Sequence, residues 1–154
     1  MRLLVCVLAA CGGTPSVAID AATGCTATLD GNVTEAITLP EVCPTSNDGA
    51  LQFSIPSMVI GEPIGVQLAV GATEGMFSSE TVTDWSGIAI RKVAPDGACI
   101  YRAGSDAVPR GSFTLSLGTQ STLDMTLAVL ARTTDQGDQT DCGAGSTEHL
   151  HVEF

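Results

Sequence analysis

The feature that most constrains this chain is a period-two alternation of apolar and polar residues, in runs too short to be helices. Leu51, Phe53 and Ile55 alternate with polar neighbours and stop at Pro56; Ile64, Val66, Leu68 and Val70 repeat the pattern and end at Gly71. Phe113, Leu115 and Leu117 form another run, and Leu123, Met125, Leu127 and Val129 form the longest. Leu150, Val152 and Phe154 make the last. Side chains of a strand point alternately to opposite sides, so each run has one apolar face and one wet face. No stretch carries the dense Glu, Lys, Arg and Ala at 3.6-residue spacing of an exposed helix.

Turn residues punctuate these runs. Thr26 to Leu29 leads into Asp30-Gly31-Asn32, a hairpin signal, and Val33 to Leu39 reads as the returning strand up to Pro40. Residues 44–49 (PTSNDG) read as a loop. Ile88 and Ile90 precede the turn Pro95-Asp96-Gly97, Cys99 to Arg102 returns, and Gly118-Thr119-Gln120 turns the chain again. Residues 134–146 form a polar loop, and 73–85 carries no readable period. About eight or nine short strands with one apolar face each predict an all-β fold, an antiparallel β-sandwich of Ig-like or related type, with a small β-barrel as the alternative.

The chain of 154 residues is long enough for one domain with a real core. Its net charge of −11, from 17 acids against 6 bases, repels nucleic acid and anionic lipid head groups. The bases after Arg2 are Arg91, Lys92, Arg102, Arg110 and Arg132, which form no run. A nucleic-acid partner is excluded on these grounds.

The amino terminus reads MRLLVCVLAACGG, with Arg2 before an apolar run and the small pair Ala9 and Ala10 before Cys11. This resembles the lipobox of bacterial lipoproteins, Leu-Ala-Ala-Cys. The resemblance implies that residues 1–10 are a signal peptide and that Cys11 is lipidated. Residues 11–23, with Gly12, Gly13, Thr14 and Pro15, would be a flexible tether, and 24–154 a single all-β domain. Several acyl chains on one residue would anchor the protein to a bilayer without spanning it. Gly12 after the cysteine implies, by enteric-type sorting, the outer membrane, facing the periplasm or the cell surface. Beyond the lipobox the pattern is similar to small lipoproteins with Ig-like or other sandwich domains, an architectural likeness that implies no activity.

Once Cys6 leaves with the signal and Cys11 is lipidated, Cys25, Cys43, Cys99 and Cys142 remain. An even number in an exported chain reads as two disulfides. Three pairings are open; Cys25–Cys43 with Cys99–Cys142 puts one staple in each half. Their spacings match no zinc or redox motif.

Three groups of residues are candidates for chemistry. His149, His151 and Glu153 alternate on the last strand, so they share a face and could present two imidazoles and a carboxylate to zinc or a similar metal; the plain alternative is the solvated side of a terminal strand. Asp135, Asp138 and Asp141 lie in a Gly-containing loop that could hold calcium, or could simply be a solvated loop tip. Trp85 and Tyr101, the only Trp and Tyr, could stack on sugar rings if exposed; a large aromatic is more often a core plug between sheets. No nucleophile elbow, phosphate loop or dinucleotide fingerprint is present. The leading expectation is therefore a non-catalytic, lipid-anchored module that binds a protein or glycan partner at the cell envelope, with no required cofactor. A metal-binding envelope protein using His149, His151 and Glu153, and an envelope hydrolase with acids gathered from separate strands, are the alternatives.

Overall fold

The structure, a computed structural model, describes residues 24–31, 34–38, 43–71, 74–93, 97–108, 110–133 and 147–154. Cys11 and the tether, Cys142, and Asp135, Asp138 and Asp141 lie outside the described residues.

Every regular element is a strand: β1 (Thr26–Gly31), β2 (Glu35–Thr38), β3 (Thr45–Asn47), β4 (Ala50–Ile55), β5 (Ile64–Leu68), β6 (Gly75–Ser78), β7 (Trp85–Val93), β8 (Gly97–Gly104), β9 (Ser112–Leu117), β10 (Thr122–Thr133) and β11 (Thr147–Glu153). All pair antiparallel in one sheet, with the order β2-β1-β11-β10-β8-β7-β5-β4-β3 and a branch in which β9 pairs β10 and β6 pairs β9.

The branch explains the architecture. One edge of β10 runs along β11 from Thr122 to Ala128. Its other edge is divided: Thr122 to Thr126 pairs β9, whereas Ala128 to Thr133 pairs β8, with a register irregularity between Val129 and Ala131. A bulge bends a strand and increases its twist, so the two halves of β10 belong to different layers. One arm is β6-β9-β10-β11-β1-β2 and the other is β8-β7-β5-β4-β3. Their inner faces pack together: Trp85 of β7 meets Phe113 of β9 edge-on at 4.9 Å between centroids, and Phe53 of β4 meets Phe154 at 5.4 Å. The result is an all-β antiparallel sandwich whose layers are one continuous, curled sheet.

Two glycines permit this. Gly111 sits where β8 and β9 part beside β10; its φ is +67°, and a Cβ there would lie 2.5 Å from the Thr126 carbonyl oxygen and 2.7 Å from the Ala103 Cβ. Only glycine meets both demands cheaply. Gly87 on β7 faces β10 across the core, where a Cβ would collide with the Met125 sulfur.

The ends of the sheet, β2 and β3, are joined by side chains instead of a ladder. Cys25, just before β1, is bonded to Cys43, just before β3, across 5.2 Å between Cα atoms. Glu35 of β2 accepts hydrogen bonds from the Ser57 hydroxyl at 2.5 Å and the Met58 amide at 2.9 Å, in the turn that follows β4. Burial works to raise the Glu35 pKa, but the Ser57 hydroxyl and the Met58 and Val59 amides outweigh it and hold the carboxyl below its ordinary value.

Two sequence expectations need correction. The stretch 44–49 contains β3, three polar exposed residues whose ladder to β4 has no apolar signature. The unreadable stretch contains β6. The inward face of β7 is carried by Trp85 and Ala89, which are buried, while Ile88 is 41% exposed, because Trp85 takes the space between the layers.

Candidate functional site

The outer face of β9, β10 and β11 carries the polar half of each alternation. Leu123, Met125, Leu127, Leu150 and Val152 turn inward and are buried. Register then aligns the residues between them into rows across the sheet: Ser112, Thr126, His149 and Asp30 in one, and Ser78, Thr114, Asp124, His151 and Thr28 in the next. Directly opposed side chains of an antiparallel pair are close enough to interact, and here they do. His151 Nδ1 lies 2.6 Å from Asp124 Oδ1, and its Nε2 lies 3.5 Å from Glu153 Oε1. His149 lies 3.2 Å from the Thr126 hydroxyl through Nδ1 and 3.3 Å from the Thr147 hydroxyl through Nε2.

The end of β6 and the turn after it rise beside this face and close a groove of about 480 Å³. Its wall is Ser78, Ser79 and Glu80; its floor includes Thr114, Asp124, Thr126, His149 and His151. The wall is pinned from behind. The Ser79 amide donates to the Phe113 carbonyl at 3.0 Å, and Arg110 donates to the Ser79 carbonyl at 2.6 Å while its guanidinium lies 5.7 Å from the Trp85 ring centroid. A cation over an indole face is held electrostatically, so the one tryptophan serves the groove from inside the core.

The hydrogen bond to Asp124 raises the His151 pKa; burial opposes it, and the charge of Asp124 with the bond and charge of Glu153 adds to it. The imidazole is thus held between two carboxylates, which favour its charged form, on a surface that is otherwise rich in hydroxyls. Hydroxyls donate and accept, and carboxylates only accept. No Lys or Arg lines the groove, and the one Phe, Tyr or Trp among its lining residues, Phe113, turns its ring into the core.

His149, His151 and Glu153 share one face, as their alternation predicts, but each imidazole has its own partners. Among the described residues no three His, Cys, Asp or Glu side chains converge as donors for a metal ion. Trp85 and Tyr101 are each 1% exposed, so neither ring offers a face to a sugar; both sit in the core. Cys25 and Cys43 are paired, and Cys99 is disulfide-bonded as well, while Cys142, its expected partner, lies outside the described residues.

The sequence did not single out Asp124, Glu80 or the hydroxyls of Ser112, Thr114 and Thr126. They stand apart in sequence from His151, and only the β9–β10–β11 register, with β6 paired to β9, brings them together. Glu148 was also missed: it takes an inward position on β11 and is fully buried. Its place in the period, two residues before Leu150, was the available signal.

No family model, no curated protein and no solved structure matches the chain.

Proposed function

We propose that this chain is a lipid-anchored, non-catalytic binding module of the cell envelope, and that its ligand site is the groove on the outer face of β9, β10 and β11. The groove carries the reading: a concavity on the sheet face, with a wall fixed by Arg110 and donors and acceptors converging from four elements. Its imidazoles are engaged with carboxylates and threonine hydroxyls, which suits recognition of a polar partner, a glycan or the polar surface of a protein. The lipobox-like amino terminus supports the anchor, and Cys11 would bring the domain to an envelope surface.

The test is crosslinking and recovery of the tagged full-length chain from envelope membranes, with Asp124→Asn as the groove variant. Capture of a glycan or protein partner that the variant loses is expected; capture undiminished by the variant would place the site elsewhere. The anchor is tested separately by labelled palmitate, which the wild type should take up and Cys11→Ser should not.

A further inference from the structure

We propose that the groove selects a ligand that combines hydroxyl groups with a primary ammonium, the chemistry of an unacetylated amino sugar. The inference deepens the binding-module reading and rests on it. Three observations carry it. The groove's carboxylates outnumber its imidazoles: Asp124 and Glu80 line it, with Glu153 beside His151 and Asp30 at the β1 end of the His149 row, against His149 and His151. No Lys or Arg is among the lining residues. The surrounding chain has a net charge of −11, which adds long-range attraction for a cation.

Geometry narrows the class. His151 takes Oδ1 of Asp124 and so aims that carboxylate, whose Oδ2 has no hydrogen bond among the described residues. Glu80 stands on the wall beside the floor that holds Asp124, so an ammonium in the groove would meet a carboxylate from each. Ser112, Thr114 and Thr126 supply hydroxyls that donate and accept, matching neighbouring hydroxyls of the ligand. The groove has no aromatic platform, so a neutral pyranose would lack the stacking surface it usually needs, and charge and hydroxyl pattern must do the selecting. Its volume of about 480 Å³ falls in the range of small-molecule sites.

The same chemistry is offered by a free amino sugar and by the unacetylated residues of an envelope glycan. The experiment titrates the full-length chain with glucosamine, N-acetylglucosamine and a glucosamine oligomer, below about pH 7, where the amine is charged. Binding is read by calorimetry and by NMR shifts of His149 and His151. Glucosamine is expected to saturate the site and shift both imidazoles. N-acetylglucosamine should bind roughly tenfold more weakly, as should glucosamine to Asp124→Asn, since each loses a charge-assisted hydrogen bond. Glu80→Gln should weaken binding as well, and Asp106→Asn, at a residue that pairs with Arg102 and is not among the lining residues, should not. An unchanged melting temperature shows that the variants fold. Tighter binding of the oligomer identifies a glycan, and equal binding identifies the free sugar; both are forms of the proposal. Equal binding of the acetylated and unacetylated sugars, or glucosamine binding unchanged in Asp124→Asn, would overturn it while leaving a binding groove. Absence of any shift at His149 and His151 with all three sugars would overturn it too, whereas loss of the captured envelope partner in Asp124→Asn would still uphold the broader reading.

Discussion

At the scale of single residues, two titratable groups tie stability to pH with opposite signs. Glu35 has a lowered pKa in the folded chain, so its contribution is present above its unfolded value and fades as the pH falls through the folded one. Glu35→Gln is expected to cost about 1 kcal/mol at neutral pH, because the Ser57 and Met58 donors lose a charged acceptor. Chemical denaturation at neutral and at acid pH checks this, and the gap between wild type and variant should close in acid. His151 has a raised pKa, so its contribution is full below the unfolded value near 6.5 and is lost as the pH rises through the folded one. The groups facing it are Asp124 on β10, Glu153 on its own strand, and Thr28 on β1. Both partners are well exposed, so the effect is small; it is best read by NMR titration of the imidazole. Asp124→Asn should bring that titration back toward the ordinary value, and a midpoint that did not move would contradict the bond to Asp124 as the main cause.

At the scale of elements, Gly111 is the position where the fold is least forgiving. Gly111→Ala would place a Cβ against the Thr126 carbonyl and Ala103 at a φ of +67°, and is expected to cost about 2–3 kcal/mol, measured by denaturant unfolding. Gly118→Ala, with nothing near its Cβ, is the control and should stay close to wild type. The elements themselves were legible where burial writes a period into the sequence. The β4, β5, β9, β10 and β11 runs were each found because inward Leu, Val, Ile, Phe and Met alternate with wet residues. β3 was not, since all three of its residues are exposed and only its backbone is ordered by β4. β7 was read only from Ile88 and Ile90 ahead of a turn, and its inward face could not be read from them, because Trp85 and Ala89 take the core positions. The site was half legible for a related reason. The H-x-H-x-E alternation shows which side chains share a face of one strand, but not that Asp124 and Thr126 stand opposite them, which depends on pairing register.

At the scale of the whole molecule, the Cys25–Cys43 bond and the Glu35 cap hold the two free ends of the sheet near each other. The bond closes a loop of 18 residues, for which chain entropy gives about 3 kcal/mol. Cys25→Ala with Cys43→Ala, or reduction of the wild type, should lower stability by about that amount in denaturant unfolding, while the groove, on other strands, keeps its ligand response. The division of β10 has a consequence of a different kind. Because both layers take their alignment from this one strand, a slip by a single residue would turn Leu123, Met125 and Leu127 out to water and Asp124 and Thr126 into the core, spoiling both layers at once. A misaligned intermediate therefore gains nothing from either half, and the strand acts as a shared ruler against which every other pairing is proofread.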